Sequence, residues 1–230
     1  MKIPVIKGVI DRRILINFTA EPTVVQAMLP SCFRPKIHNG KAIVGVCLIR
    51  LKQVRPKGFP AFTGVSSENG AHRFAVEWDE DGVVKEGVYI PRRDTSSRLN
   101  AFLGGRFFPG KHHRADFNVE ESGGNFRVSF SSDDDTRIAI TAKIADHFPA
   151  DSVFSSLEEA SAFFEKGSVG YSPGRDAGLD GLKLYAYRWE VQPLEVSEIH
   201  SSYFKDKAVC FDNALLMTNI EHEWMGMGEK

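Results

Sequence analysis

The sequence has no excess charge of either sign: 29 Lys and Arg stand against 30 Asp and Glu, a formal charge of -1 over 230 residues. No global field draws such a chain to nucleic acid or to an anionic membrane, so any electrostatic function must be local. Cysteine is scarce. Cys32, Cys47 and Cys210 are far apart and form no CxxC pair, which excludes a disulfide scaffold and a zinc knuckle and implies a reducing, cytoplasmic setting. Long apolar runs are missing too, none approaching the roughly 18 residues that cross a bilayer, so no membrane partner is expected. The apolar start is broken by Lys7 and followed by Asp11, Arg12 and Arg13, which does not read as a signal peptide. Neither a GxGxxG nor a GxxxxGK[ST] phosphate cradle occurs, nor a GxSxG elbow, so nucleotide cofactors and serine hydrolase chemistry are not indicated. Glu221-His222-Glu223 lacks the HExxH spacing and reads as a solvated strand end. Asp133-Asp134-Asp135 lacks the glycine and distal glutamate of a calcium loop and reads as a charged turn. No metal and no cofactor is expected.

What is present is the composition of an ordinary globular protein, 42% hydrophobic and 26% charged, with 17 phenylalanines to build a core. Period-two alternation marks strands at 13–19, 42–54, 73–78, 83–90, 115–120, 126–131, 137–144, 183–191 and 208–218. Asn39-Gly40, Asn69-Gly70, Asp81-Gly82 and Gly123-Gly124 supply the positive φ that tight hairpins need. Three helices are expected. Pro22 opens the first, Asp94 to Ser97 offer caps to a second carrying Leu99, Phe102 and Leu103 and stopped by Gly104-Gly105, and a capping box at Ser155/Glu158 or Ser156/Glu159 starts the third. The glycine-rich 167–181 stretch reads as a loop too short to separate domains, so residues 1–230 are expected to form one domain. Many strands, few helices and no βαβ alternation predict a mainly β (α+β) fold, a barrel or curled antiparallel sheet with a few peripheral helices, of the kind that holds a small ligand.

The sharpest local feature is basic. Between positions 92 and 114 lie Arg92, Arg93, Arg98, Arg106, Lys111, His112, His113 and Arg114, with Asp94 the only acid. Arginine grips a carboxylate by two parallel bonds, and Arg106, after a Gly-Gly pair and before Phe107 and Phe108, is the member best placed to be held inward. Lys111, crowded by cations, is a candidate nucleophilic amine; His112 and His113 are candidate general acids or bases. Charge runs are also commonly solvated loop residues, and that alternative stays open.

Gly105-Arg106 followed by two apolar residues and Pro109-Gly110-Lys111-His112-His113 resembles the Gly-Arg-Glu and Pro-Lys-Lys segment of acetoacetate decarboxylases. Phe59-Pro60-Ala61-Phe62, Glu68, Arg73-Phe74-Ala75-Val76, Gly87-Val88-Tyr89-Ile90 and a strand ending near Trp189 extend this over most of the chain. As a whole it resembles the YqjF-like uncharacterised bacterial branch of the acetoacetate decarboxylase-like superfamily. The resemblance implies a cone-like antiparallel barrel around a cavity, a Schiff-base lysine in the true decarboxylases, and a cavity-lining acid matched by Glu68. The adjacent-lysine pair is missing here, and the lysine position counted from Arg106 falls nearer His112 or His113 than Lys111.

These readings predict an enzyme acting on a small oxo-acid or carbonyl compound, by Schiff-base or acid/base chemistry. Lys111, His112, His113 and Glu68 are its catalytic candidates, and Arg106, Arg73, Phe107 and Phe108 bind substrate. The alternatives are a non-catalytic barrel binding a small organic ligand, and a module meeting an acidic partner or RNA, which the neutral net charge disfavours. A homo-oligomer is left open.

Overall fold

Alternating apolar residues become strand over most of the chain. The computed structural model describes residues 4–98, 110–174, 178–205 and 208–227. Arg106, Phe107, Phe108 and the expected helix around Leu99, Phe102 and Leu103 lie outside the described residues. In chain order the elements are β1 (Ile6–Ala20), α1 (Pro22–Gln26), β2 (Arg34–Pro35), β3 (Ile37–His38), β4 (Lys41–Pro56), β5 (Val65–Glu80) and β6 (Val83–Thr95). There follow β7 (His112–Ser122), β8 (Asn125–Ser132), β9 (Arg137–Ile144), α2 (Leu157–Glu165), β10 (Val169–Pro173), β11 (Leu179–Ala186), β12 (Gln192–Ser201) and β13 (Val209–Gly226).

The structure is mainly β: one curled sheet with few helices, all its strands joined by hydrogen bonds. Most pairs are antiparallel, but β6 runs parallel to both β7 and β10, so the sheet is mixed rather than purely antiparallel. Its pairings return on themselves twice. One circuit runs β6-β7-β8-β9-β12-β13-β1-β4-β5 and back to β6; a smaller one runs β13-β1-β4-β5-β6-β10-β11 and back to β13. Five strands, β13, β1, β4, β5 and β6, form a wall common to both.

Because side chains alternate across a strand, this wall carries two cores. Ile14, Ile16, Val44, Val46, Leu48, Phe74 and Val76 join Val128, Phe130, Ile138, Ile140 and Leu194 in the large circuit. Leu15, Ile43, Cys47, Leu51, Ala71 and Ala75 pack on the opposite face with Phe154, Ala160 and Phe164. Each such fully buried aliphatic or aromatic side chain contributes about 1.5–3 kcal/mol of transfer free energy, which is what holds the curled wall between its two cores.

The turns at Asn39-Gly40, Asp81-Gly82 and Gly123-Gly124 all take positive φ at both positions. Asn69-Gly70 instead lies inside β5. A Cβ on Gly70 would meet the Phe130 ring at 2.6 Å, so this glycine makes room for an aromatic rather than a turn. The 167–181 stretch is likewise no loop, for it contains β10 and the start of β11. The strand expected at 183–191 ends at Ala186, and β12, too weakly alternating to be foreseen, follows. Pro22 stands at the start of α1 as expected. Ser156 caps α2 by accepting from the Glu159 N–H at 3.2 Å, while Glu159 accepts from the Ser155 N–H. Glu221-His222-Glu223 is not a solvated end: it lies within β13, His222 is fully buried, and Glu221 and Glu223 pair with Lys7 and Lys57.

Candidate functional site

Adjacent residues of a strand face opposite ways, so the common wall sorts its cations by parity. Arg12 faces the large circuit and Arg13 the small one; β-bulges then reset the alternation, which is how Ile10 and Arg13 come to line the same cavity. On β5, Glu68, Gly70, His72 and Phe74 share the large-circuit face, whereas Ala71 and Arg73 face the other side. On β6 the register slips around Pro91, after which Arg92 and Asp94 face the large circuit and Arg93 the small one. A proline tolerated only at such an irregularity marks the slip.

On the large-circuit face every one of these arginines is neutralised. Arg12, 2% exposed, donates to Glu121 at 2.5 Å and to Glu68 at 2.6 Å. Arg50 donates to the same two carboxylates, at 2.6 Å to Glu68 and 3.0 Å to Glu121. Burial works against ionisation of Glu121, but Arg12 and Arg50 outweigh it and hold its carboxyl below the usual range. Arg92 reaches Asp94 with Nε and Nη2 and Asp134 with Nη1 at 2.5 Å, and Ser132 donates to Asp94. Bonded to Arg92, Asp134 is shifted far down. The Asp133–Asp135 turn is thus charged as expected, yet its middle member is tied to the wall.

The small-circuit face is the reverse. Arg13, Arg73 and Arg93 line a cavity of about 90 Å3 with Cys47 and the apolar side chains of Ile49, Leu51, Val88, Ile90, Leu182, Leu184 and Trp224. A smaller hollow of about 20 Å3 beneath α2 shares Arg13, Arg73, Val88 and Gly167 with it. Among the described residues no carboxylate pairs with any of the three arginines. Arg13 donates to Cys47 Sγ at 3.5 Å, Arg73 donates from Nε to the same sulfur at 3.2 Å, and Arg93 donates to Ser172 Oγ at 3.3 Å. Among the described residues the buried Nε atoms of Arg13 and Arg93 have no hydrogen-bond partner; the same holds for Arg12 Nε on the other face, so it is the missing carboxylate that sets the cavity arginines apart. Burial brings Arg93 down to about 10 and lowers Arg73 as well.

Arg73 is held from behind. Its Nη2 donates to Asn17 Oδ1; Asn17 donates to Asn213 at 2.6 Å, and Asn213 to Asp212 at 2.5 Å. The ring of Phe164, on α2, lies 4.9 Å from the guanidinium carbon. A packed, stacked and hydrogen-bonded arginine is a fixed fork, the form suited to a planar anion.

Of the residues singled out in the sequence, Arg73 lies in this cavity and Glu68 does not: the two face opposite sides of β5, and Glu68 is engaged by Arg12 and Arg50. Lys111 is exposed, and among the described residues no lysine lines this cavity, although Lys36 lines the smaller hollow beside it. His112 stands opposite Arg93 in the parallel β6–β7 pair. Its Nδ1 lies 3.0 Å from the Gly110 carbonyl, which can only accept, so Nδ1 carries the proton and Nε2 keeps its lone pair. Burial, helped by Arg93, brings His112 down to about 4 and leaves it neutral at pH 7. His113 turns the other way, 3.6 Å from Asp134. Asp94, expected to cap a helix, is buried in β6 with Arg92 instead. Arg93 was noted only as one member of the basic 92–114 stretch, and Arg13 and Cys47 had no motif to single them out. Their one signal was position: charge or sulfur recurring on an otherwise apolar face.

The chain belongs to the DUF2071 family of uncharacterized conserved proteins, whose model matches residues 10–219. No curated protein matches it significantly in sequence. Its fold is that of acetoacetate decarboxylase-like proteins. An acetoacetate decarboxylase-like enzyme from Sphingomonas wittichii RW1 superposes with a TM-score of 0.64 at 10% identity, over 100% of this chain and 93% of that one. The enduracididine biosynthesis enzyme MppR complexed with pyruvate gives 0.62 at 10% identity, over 98% and 88%. Acetoacetate decarboxylase from Legionella pneumophila gives 0.59 at 12% identity, over 97% and 87%. Among the described residues no helix is long and apolar enough to cross a membrane, and no cluster of metal-ligating side chains occurs.

Proposed function

We propose that the small-circuit cavity binds a small oxo-acid, with its carboxylate on the Arg13, Arg73 and Arg93 guanidinium groups. The observation that carries this reading is three arginines around one cavity of about 90 Å3 without a carboxylate among the described residues to neutralise them. Desolvating a cation costs several kcal/mol unless an anion compensates it, and the large-circuit face supplies that anion for each of its arginines. On the cavity side a ligand carboxylate would supply it. The size fits an acid of a few heavy atoms, and the apolar wall of Ile49, Val88, Ile90 and Leu184 suits its alkyl end. One structural neighbour, MppR, is complexed with pyruvate, an acid of this class.

His112, paired opposite Arg93 though not itself among the residues lining the cavity, is the acid/base candidate: neutral at pH 7, with its proton on Nδ1 and the lone pair on Nε2. Arg106, Phe107 and Phe108 remain candidates for the same ligand, and Lys111 for a Schiff base reached from the segment before β7. The reading of a barrel that binds without turnover gains from the absence of lysine among the described lining residues. The nucleic-acid reading loses support, since Arg92 is neutralised by Asp94 and Asp134. A cytoplasmic setting suits the three free cysteines.

The test is thermal unfolding and calorimetry with pyruvate and acetoacetate. Binding to the native state raises stability by about 2.7 kcal/mol at a hundredfold excess over Kd. Wild type should shift, and Arg93→Met should lose the shift while staying folded. Absence of any shift or heat with these acids, in wild type and variants alike, would overturn the reading.

A further inference from the structure

Cys47 plays no part in the reading above, yet its sulfur lies between two of the three cavity arginines. It sits on β4, in the middle of the common wall, and lines the cavity with Arg13, Arg73 and Arg93. Its Sγ accepts from Arg73 Nε at 3.2 Å and from Arg13 Nη2 at 3.5 Å. A buried structural cysteine normally lies among apolar groups, where burial raises its pKa and leaves it inert. Here burial does push the thiol up, but Arg13 and Arg73 together outweigh it, and the net direction is down. No other described lining residue carries an acidic group, so Cys47 is the one side chain of the described wall that could itself turn an anion toward these arginines.

We propose that Cys47 is a nucleophile of this site, its Sγ adding reversibly to the carbonyl carbon of a bound 2-oxo acid. This rests on the anion-binding reading. The carbonyl carbon of such an acid is one bond from its carboxylate. With the carboxylate on the guanidiniums, a cavity this small keeps the carbonyl beside the sulfur that two of them already touch. The thiolate electron pair forms the C–S bond, the C=O π bond breaks, and its pair moves to oxygen. The resulting alkoxide is stabilised by the same guanidinium donors and takes a proton from water. The product is a thiohemiketal; nothing is oxidised or reduced, and no further reactant is needed. Cys47 would thus take the role for which no lysine stands among the described residues lining this cavity, with sulfur as the attacking atom.

Two measurements on the full chain test this. In the first, wild type is alkylated at pH 7 with iodoacetate or with iodoacetamide, and each cysteine is followed by peptide mass mapping. Cys32 and Cys210 are exposed and serve as internal references. A cationic cleft raises the local concentration of an anionic reagent. The iodoacetate-to-iodoacetamide rate ratio at Cys47 should therefore exceed that at the references by about tenfold or more, and fall in Arg13→Met. The second uses pyruvate labelled with carbon-13 at its carbonyl. The bound signal should move from a trigonal to a tetrahedral carbon in wild type, and be trigonal in Cys47→Ala at the pyruvate concentration that calorimetry shows to saturate that variant. A trigonal signal in a wild-type protein that does bind pyruvate overturns the nucleophile and leaves anion binding standing. Equal alkylation ratios at all three cysteines overturn it whether or not pyruvate binds.

Discussion

Arg12 and Arg13 are neighbours in one strand, as are Arg92 and Arg93 in another, yet each pair is divided between two environments. Arg12 and Arg92, facing the large circuit, are locked to carboxylates contributed by β5, β6, β7 and the turn after β8. Arg13 and Arg93, one residue on, face a cavity where, among the described residues, only sulfur and a hydroxyl accept from them. The first environment uses charge to fasten strands together; the second leaves charge unspent. A cation whose partner is built in is structural, and one whose partner must arrive from outside marks a site.

The largest expected effect breaks the fastened side. Glu68→Ala leaves Arg12 buried with half its partners and should lower stability by about 3 kcal/mol in urea denaturation. Arg93→Met on the cavity side removes a desolvated cation that, among the described residues, donates only to the Ser172 hydroxyl, and leaves no carboxylate unpaired. It should stay within about 1 kcal/mol of wild type, or exceed it, while losing pyruvate binding. Equal destabilisation by both would erase the contrast between the faces.

Glycines on the two sides sharpen it further. A methyl on Gly70 would meet the Phe130 ring at 2.6 Å, so Gly70→Ala should cost about 1–3 kcal/mol and leave ligand affinity unchanged. A methyl on Gly170 would lie 3.2 Å from Ile90 Cδ1 at the cavity wall, so Gly170→Ala should cost less stability but weaken pyruvate binding in calorimetry.

Acid should weaken both sides through different groups. His112 and His222 have native values near 4, below the ordinary histidine value, so the unfolded chain binds their protons first. Stability from each is complete above about pH 6.5 and is lost as pH falls toward 4, at up to about 1.4 kcal/mol per pH unit. Glu121 and Asp134 on the fastened face are also held low, and their contribution fades only at more acid pH. Urea titrations across pH 3 to 8 should show a two-stage loss, and His222→Phe should flatten the upper stage. The smallest effect lies away from either face: Ser156→Ala removes the α2 cap and should cost about 1 kcal/mol at any of these pH values.

Much of the architecture was legible because it is local. Period-two alternation located β1, β4, β7, β8 and β9, and the positive-φ pairs at Asn39-Gly40, Asp81-Gly82 and Gly123-Gly124 marked real turns. Asn69-Gly70 carried the same turn chemistry and was overruled, since strand pairing on both sides of β5 keeps the backbone extended and the missing Cβ serves Phe130. At the site, Arg73 was recognisable and Glu68 was grouped with it. Their opposite parity within one strand already argued against a shared cavity. Arg13 and Cys47 were not recognisable, because neither belongs to a motif and each becomes notable only beside the other.

The sequence by itself determined that this is a β-rich chain with a concentration of cations and no global charge, since strand period, turn chemistry and composition act over a few residues. Only the tertiary structure decided which cations face carboxylates and which face a cavity. That choice turns on bulges at two strands and on the curling of one wall into two circuits, which bring residues 13, 47, 73 and 93 around a common space. Pairing between distant strands sets it, and no local pattern encodes that pairing.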